Sequence, residues 1–407
     1  MAEEMRIVLR NYGKIDPLKI DDYLAGGGYN SLKKARSMSN TDLINEVKAS
    51  NLRGRGGAGF NCGMKLNFAY QAQADQKYVI CNADEGEPGT YKDRLIMEND
   101  PQTVLEGMAI CGYAIGATQG FIYCRGEYPS VAKTLKQAIA QAKGKGVLGD
   151  FSIEVRLGAG AYVCGEETAL MESIEGKRGE PRMKPPFPPV SGLWGKPTII
   201  NNVETFANIP VIVEKGSAWY AAIGASSYPG TKVLTLTGNV KNKTFFEAPT
   251  NTTIREVIFQ FGGGMADGKE FKAVQIGGTS GVFIPAGQLD TQISFDAMAD
   301  IGAALGSGAV FVLDASRDLV DVTARIAKFF AHESCGKCTP CREGTLRMQE
   351  LMEKINAGKG AQTDIALLDN LGRVMINTCF CPLGQAAPSP ILSTIQHFPA
   401  EYNAKLM

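Results

Sequence analysis

Histidine is almost absent: His332 and His397 are the only two in 407 residues. Imidazole acid–base catalysis therefore has little to work with, and His332 reads as a basic residue in the last turn of a helix rather than a ligand. Net charge is absent too. Basic and acidic residues number 42 each, so no overall field draws the chain to nucleic acid or to a membrane surface. No apolar run approaches the roughly 18 residues that span a bilayer. The start, Met1-Ala2-Glu3-Glu4-Met5-Arg6, lacks the apolar core of a secretory signal. These absences predict a cytoplasmic protein with no nucleic-acid partner and no direct membrane insertion.

What is present is more specific. The length excludes a single hydrophobic core and predicts two to four domains, and 44% hydrophobic with 21% charged residues is an ordinary globular composition. Ten cysteines without a secretory signal predict a reducing compartment, where thiols bind metal or stay free. Cys62, Cys81, Cys111, Cys124 and Cys164 stand alone and read as small buried hydrophobes. Three others form Ser334-Cys335-Gly336-Lys337-Cys338-Thr339-Pro340-Cys341, and Asn377-Thr378-Cys379-Phe380-Cys381-Pro382-Leu383-Gly384 offers a fourth. Three close thiolates and a remote one suit an iron–sulfur cluster. Zinc usually takes two separated Cys-x-x-Cys knuckles, which this is not. Spacing alone leaves the fourth ligand open between Cys379 and Cys381.

The glycines cluster as well. Leu52-Arg53-Gly54-Arg55-Gly56-Gly57-Ala58-Gly59-Phe60 lets backbone N–H groups converge on an anion, with Arg53, Arg55 and Lys65 adding positive charge. It lacks the Gly-Lys-Ser/Thr of a Walker loop, and no clear strand leads into it. A strand at 77–81 ends in Asn82-Ala83-Asp84-Glu85-Gly86-Glu87-Pro88-Gly89-Thr90, the strand-to-loop position where α/β sheets bind ligands. Helices over 104–117 and 131–141 alternate with strands at 121–125 and 151–155, which predicts a parallel sheet covered on both faces. Gly158 to Thr168 carries a strand into a helix. Pro181 to Pro189 is a loop stiffened by five prolines that presents Phe187 to a flat ring. Asn201 and Asn202 supply amides.

The texture changes near residue 229. Strand, strand, a Thr253–Glu256 capping box opening a helix, then a strand at 271–276 resembles a β-grasp, ubiquitin-like module with a scaffolding role. The last region is helical: Leu319, Val322, Ile326 and Phe329 form one stripe. Met348, Leu351, Met352 and Ile355 form a second, and Ile365, Leu368, Leu371 and Met375 a third. The expected organisation is a helical lead-in (1–45), an α/β Rossmann-like cofactor domain (46–228), a β-grasp domain (229–314) and a helical bundle carrying the cluster (315–407).

Arg53-Gly-Arg-Gly-Gly-Ala-Gly-Phe60, Asn82-x-Asp-Glu-x-Glu-Pro-Gly-Thr90, Tyr162-x-Cys-Gly-Glu-Glu-Thr168, Asn201-Asn202 and the cysteine triplet together resemble the NADH-binding flavoprotein subunit of respiratory complex I. The same module serves as the diaphorase subunit of NAD-dependent hydrogenases and formate dehydrogenases. The resemblance implies FMN, NAD(H) and one [4Fe-4S] cluster. It places FMN on Gly54, Arg55, Gly56, Gly57, Lys65, Asn82, Asp84, Gly165, Glu166, Asn201 and Asn202. It places NADH on Phe60, Phe68, Glu87, Glu167, Lys184 and Phe187, and the cluster on Cys335, Cys338, Cys341 and, from the Cys-x-Leu-Gly context, Cys381. The sequence departs from the family at Asn61-Cys62, where Pro-Thr is usual, and at Leu66, where Trp is usual. The resemblance implies that hydride passes to a flavin and electrons leave singly through the cluster, which requires no acid–base side chain.

The stretches Arg10 to Pro17 and Gly27-Gly28-Tyr29 look more like the soluble hydrogenase partners than complex I. The expected setting is a soluble NAD-dependent [FeFe]-hydrogenase assembly, with complex I and formate dehydrogenase as alternatives. The expected partners are a thioredoxin-like [2Fe-2S] subunit and a catalytic hydrogenase-type subunit, with ferredoxin as a further candidate.

Overall fold

A computed structural model describes residues 3–407. Three helices come first: α1 (Ile20–Ala25), α2 (Asn30–Arg36) and α3 (Asn40–Ala49). α3 runs past the boundary expected at residue 45. Ile7, Leu9, Tyr23, Leu32 and Leu43 share one core with the sheet that follows, so the lead-in belongs to that sheet's packing. Then come α4 (Cys62–Gln71), β1 (Tyr78–Ala83), α5 (Lys92–Asn99), α6 (Pro101–Ile115), β2 (Gln119–Cys124), α7 (Pro129–Gly144) and β3 (Ser152–Leu157). α8 (Glu167–Ile174), β4 (Thr198–Asn202), α9 (Val203–Lys215) and α10 (Ser217–Ala221) complete this half. α6 is buried almost all round. It is capped by the Asp100 carboxylate on the Thr103 N–H and stopped by Gly116 at φ +77°. The short α5 was not foreseen, because its pattern is mostly polar.

The four strands form one parallel sheet in the order β3-β2-β1-β4, as the alternation of elements predicts. Side chains alternate across it. Val79, Cys81 and Ala83 join the core made with α4, α6, α7 and α9. Ile80, Phe121, Tyr123 and Ile200 join a second core with Leu170, Met171 and the C-terminal helices.

Beyond β5 (Gly224–Ala225) and β6 (Tyr228–Pro229), a five-stranded sheet is built from β7 (Thr231–Gly238), β8 (Thr244–Pro249), β9 (Phe271–Ile276), β10 (Phe283–Pro285) and β11 (Ala309–Asp314). Its order is β10-β9-β11-β7-β8, with β7 and β11 parallel and the other pairs antiparallel. The capping box at Thr253 forms as expected. The helix it opens differs: α11 (Ile254–Glu256) passes at once into a π turn at Val257–Phe261. β10 and β11 were not foreseen: β10 has only three residues, whereas β11 carries an apolar run that could have signalled it. α12 (Phe295–Asp300) closes this unit's own core, through Met298. Val233 turns toward the first core, and Ala273, Phe283 and Leu313 toward the second.

α13 (Leu319–Glu333), α14 (Thr339–Asn356), α15 (Gln362–Thr378), α16 (Pro382–Ala386), α17 (Ser389–His397) and α18 (Pro399–Asn403) end the chain. The first expected stripe is met in part: Leu319 and Ile326 are buried, with Val320, Thr323, Ala327 and Phe330 beside them, whereas Val322 and Phe329 are half-buried. Phe329 instead meets the Tyr162 ring edge-on at 5.3 Å. His332 lies exposed in the last turn of α13, as expected. Among the described residues no helix is long and apolar enough to cross a membrane.

One buried carboxylate ties the amino-terminal segment to the five-stranded sheet. Glu247 on β8 accepts the backbone N–H groups of Ile7 (2.9 Å), Val8 (3.0 Å) and Leu9 (2.9 Å), and the Thr231 hydroxyl. Glu247→Gln keeps the shape but leaves one oxygen for four donors. Hydrogen bonds to ionised groups are worth about 1.5–3 kcal/mol each, so a loss of about 3 kcal/mol is expected. It should appear as a lower urea midpoint at unchanged slope, with faster proteolysis before residue 20.

Candidate functional site

The glycine loop is pinned at its neck. Gly54 N–H donates to the Phe60 carbonyl (2.9 Å) and Cys62 N–H to the Leu52 carbonyl (2.8 Å). Asn61, where the family has Pro, caps α4 by accepting the Met64 N–H (2.9 Å). Gly57 (φ +127°) and Gly59 (φ +62°) hold backbone angles that disfavour side chains. A Cβ on Gly56 would lie 2.9 Å from the Cβ of Asn202, and one on Gly59 would lie 2.3 Å from the Phe295 ring. The loop is therefore wedged between the end of β4 and the five-stranded unit.

Arg55 does not lend its charge to this loop as expected. Its guanidinium is fully buried. It donates to the carbonyls of Thr231 (3.0 Å), Arg53 (3.0 Å) and Pro229 and to the Tyr220 hydroxyl (3.1 Å), 4.2 Å over the Tyr228 ring. Its N–H is committed to Thr205 Oγ1 at 2.9 Å. Arg55 is the bolt that holds the loop to the second half of the chain. Arg53, in the loop, donates to the Gly59 carbonyl at 2.6 Å, and the Lys65 Nζ donates to the Ile200 carbonyl at 2.8 Å.

At the sheet's carboxyl edge, Asn82 of β1 lies beside Asn202 of β4, and Cys81 beside Asn201. Asn82 Nδ2 donates to the Gly165 carbonyl (2.8 Å), and its Oδ1 accepts the Asp84 N–H (3.2 Å). Asn201 Nδ2 rests 3.5 Å from Cys62 Sγ. Among the described residues three buried side-chain atoms lack a hydrogen bond: Asp84 Oδ2, Arg182 Nη2 and Asp314 Oδ2. Arg182 Nη2 still pairs with Glu175 at 2.7 Å, and Asp314 Oδ2 with Lys269 at 3.4 Å. Only Asp84 is left aimed at nothing. Burial pushes its carboxyl up to about 7, Arg125 pulls it back, and Glu127 and Glu333 push further. An orphaned buried oxygen beside a glycine cradle fits a polar ligand, and FMN in particular, with N–H and hydroxyl donors.

Beside it lies a charged cluster. Lys184 Nζ reaches Glu166 Oε1 (3.0 Å) and Glu167 Oε1 (2.8 Å), while Glu166 Oε2 caps α8 through the N–H groups of Thr168 and Ala169 (2.9 Å each). Burial would raise the Glu167 carboxyl, but Lys65 and Lys184 outweigh it and hold it below the usual range. Three rings stay open: Phe60 is 47% exposed, Phe68 43% and Phe187 55%, large apolar faces available to a planar partner. Glu87 stands apart from that cluster. It accepts the Tyr162 hydroxyl (2.6 Å) and the Ser280 N–H (3.1 Å), and burial raises its carboxyl although these bonds oppose it.

The cysteines ring a separate, narrow hollow lined by Cys335, Cys338, Cys341 and Cys381 with Val163, Pro181, Lys337, Phe380 and Leu383. Cys341 sits in the first turn of α14 behind Pro340. Cys381 precedes α16, where the N–H groups of Leu383 and Gly384 point at its sulfur. Cys379 does not line the hollow. It lies behind Cys341, where a Cβ on Gly384 would come within 2.7 Å of its sulfur. Among the described residues no three Cys, His, Asp or Glu side chains close on a single ion. Four thiols around a hollow are a donor set for a cluster rather than for one ion. Cys62, Cys81, Cys111, Cys124 and Cys164 are buried and free, as expected.

One short turn joins the two sites. In the 3-10 segment Tyr162–Gly165, Val163 lines the cysteine hollow and Gly165 receives Asn82. The Tyr162 N–H donates to Glu333 Oε2 at 3.0 Å, two residues before Cys335. Sequence reasoning saw Tyr162 only as part of a motif. Its partners Glu87 and Glu333 lie 75 and 171 residues away in the chain, and no local pattern signals such a contact.

Comparison with known proteins bears on this pair of sites. Residues 47–211 match the Nuo51 FMN-binding domain, and residues 321–405 match the NADH-ubiquinone oxidoreductase-F iron-sulfur binding region. The HndC component of the NADP-reducing hydrogenase of Solidesulfovibrio fructosivorans is 50% identical over 99% of this chain and 84% of its own length. One of the NADH-quinone oxidoreductase F-type subunits of Rhizobium meliloti (strain 1021) is 46% identical over 98% of this chain and 97% of its own. Among solved structures, an NAD+-reducing [NiFe]-hydrogenase in the H2-reduced state superposes with a TM-score of 0.85 at 38% identity. That match covers 92% of this chain but 63% of the hydrogenase chain, so this chain spans less than two thirds of that protein. With the glycine cradle in one matched region and the thiol-lined hollow in the other, the chain belongs to the NADH-quinone oxidoreductase F-type family, oxidoreductase subunits that bind FMN, a [4Fe-4S] cluster and NADH.

Proposed function

We propose that this chain is the NADH-oxidising, or NAD-reducing, module of a soluble multisubunit hydrogenase assembly of the [FeFe] type, passing single electrons between NADH and its partners. One observation supports the reading: within the single turn Tyr162–Gly165, Gly165 accepts from Asn82, two residues before the orphaned Asp84, while Val163 lines the four-thiol hollow. The 50% identity to a hydrogenase component supports the hydrogenase setting. A second reading, the F-type component of a quinone-reducing complex, has its own support: the Rhizobium relative is matched over 97% of its length, against 84% for the hydrogenase component. In either setting the partners would be a thioredoxin-like [2Fe-2S] subunit and a catalytic subunit, with ferredoxin as a further acceptor, in the cytoplasm.

In this reading Gly54, Gly56, Gly57, Gly165, Lys65, Asn82, Asp84, Glu166, Asn201 and Asn202 hold FMN. Arg55 acts from behind, by holding the loop. Phe60, Phe68 and Phe187 stack on NADH, and Glu167 and Lys184 bind its polar groups. Glu87, already held by the Tyr162 hydroxyl and by Thr279 and Ser280, joins them. Cys335, Cys338, Cys341 and Cys381 hold the cluster. When bound, FMN supplies the exchange between a hydride and single electrons. The protein's part is orientation and electrostatics, since neither histidine lies in the site. The five-stranded unit, whose strand order suits a β-grasp, and the C-terminal helices act as scaffold for the loop and the hollow.

The chain loaded with its cofactors should oxidise NADH with an artificial one-electron dye. It should neither evolve hydrogen nor reduce quinone at a comparable rate until partner subunits are added. Hydrogen evolution by the homogeneous chain would reveal a second catalytic centre and sink the proposal.

Cys381→Ser should lose iron and acid-labile sulfide while flavin stays bound, whereas Cys379→Ser should keep both. The reverse pattern would transfer the fourth ligand to Cys379.

FMN binding should also depend on pH through Asp84. The group ionises near 7 in the chain without ligand, and a donor from FMN binds its ionised form better. Affinity should therefore rise between about pH 6 and pH 8, by no more than about tenfold per unit. Asp84→Asn should flatten that rise, which fluorescence titration of the flavin can measure.

A further inference from the structure

Behind Asn202 lies a group of charges that the assignments above do not use. Lys92 and Asp93 open α5, Glu204 stands in the first turn of α9, and Lys232 comes from β7. All four are buried, Glu204 and Lys232 completely. Lys92 Nζ lies 2.6 Å from Asp93 Oδ1, 3.0 Å from Glu204 Oε2 and 3.0 Å from Asn202 Oδ1. Lys232 Nζ lies 2.5 Å from Glu204 Oε2 and donates to the Val233 carbonyl (2.9 Å). Glu204 Oε1 accepts the Val233 N–H at 2.8 Å. Glu85 accepts the N–H groups of Asp93 (2.8 Å) and Arg94 (3.0 Å).

Asn202 is at the centre. Its Oδ1 accepts from Lys92 Nζ and from the Glu204 N–H (3.0 Å), which fills both lone pairs, and its Nδ2 donates to Asp93 Oδ2 at 2.6 Å. Lysine can only donate and an ionised carboxylate can only accept, so the amide cannot flip. A single N–H remains, on an amide packed beneath Gly56 of the cradle. Ion pairs buried this deeply contribute little net stability compared with apolar side chains of the same volume. Stability alone is therefore a weak account of why three separate parts of the chain bring these charges together.

We infer that Lys92 and Asp93 are positioning residues for the flavin site: they lock the Asn202 amide so that its one free N–H is presented as a donor to the bound FMN, and Lys92 holds positive charge behind it. The inference rests on the placement of FMN at Asn202 proposed above. Burial lowers Lys232 to about 8 and would also raise Glu204, but Lys232 and Lys92 hold Glu204 below its usual range. The four side chains are thus two opposed pairs. Removing one cation leaves uncompensated negative charge beside the cradle, which disfavours adding electrons there. Removing one anion does the opposite.

The test is a redox titration of FMN in the full chain, with FMN affinity and melting temperature measured in parallel. Lys92→Met should weaken FMN binding and lower the flavin midpoint potential. A tenfold change in the two-electron equilibrium corresponds to about 30 mV. Asp93→Asn, nearly the same shape, should raise the potential, and Lys92→Arg should restore most of the wild-type value. A purely structural network would lower the melting temperature in each variant without shifts of opposite sign, and that result would overturn the inference. If Lys92→Met fails to fold, the upward shift in Asp93→Asn decides alone, and its absence is fatal. Asn202→Ala separates the two readings. If it changes FMN affinity and potential while Lys92 and Asp93 do not, only the positioning role falls. If it changes neither, the placement of FMN falls and takes this inference with it.

Discussion

The four-stranded parallel sheet is apolar on both faces, and each face must be covered by a different part of the chain. The helices interleaved with its strands cover one face. The other takes α8 and, through Ile80, Phe121, Tyr123 and Ile200, the same core as Phe330, Met348 and Ile391 of the C-terminal helices. That shared core brings cysteines some 250 residues downstream against the glycine-rich carboxyl edge of the sheet. Without it the chain would carry two sites with no fixed relation. The five-stranded unit reinforces the arrangement by donating side chains to both cores, Val233 to one and Phe283 and Leu313 to the other.

Much of the site was legible before the structure because its chemistry is local. A cysteine triplet, a glycine run and an acidic strand end declare themselves within a dozen residues, and the alternation of strands and helices between them implies a parallel sheet. Arg55 shows where this stops. In sequence it is one more cation in a glycine loop, and nothing nearby reveals that its partners Tyr220, Pro229 and Thr231 lie 165 to 176 residues away. The same holds for the stripe on α13. Periodicity identified an amphipathic helix and placed Leu319 and Ile326 on its buried side, but it could not show that Phe329 meets the ring of Tyr162. β11 pairs in parallel with β7, a pairing no local motif encodes. The replacement of Pro-Thr by Asn61-Cys62 looked like a disturbance in the sequence. In the structure Asn61 caps α4 and Cys62 lies against Asn201, so the departure is absorbed by local bonding.

Burial also sorts the carboxylates of this molecule into distinct duties. Glu247 is saturated by donors and fastens the amino-terminal segment. Glu166 and Glu167 are held by a lysine and by a helix start. Asp84, among the described buried carboxylates, has an oxygen with neither a hydrogen bond nor an ion pair. Residues of one chemical type are told apart only by what surrounds them, and an amino-acid sequence does not list surroundings.

The turn Tyr162–Gly165 has a further consequence. It is a party wall: one side faces the thiols and the other faces the cradle, with Tyr162 mortared to both Glu87 and Glu333. A wall owned by two rooms cannot be thickened for one tenant alone. Any insertion there would push the rooms apart, and any bulkier residue would intrude on one of them. The separation of the two centres is therefore the quantity least free to drift in this chain. A substitution in that turn acts on both sites at once, while one on the outer surface leaves their spacing alone.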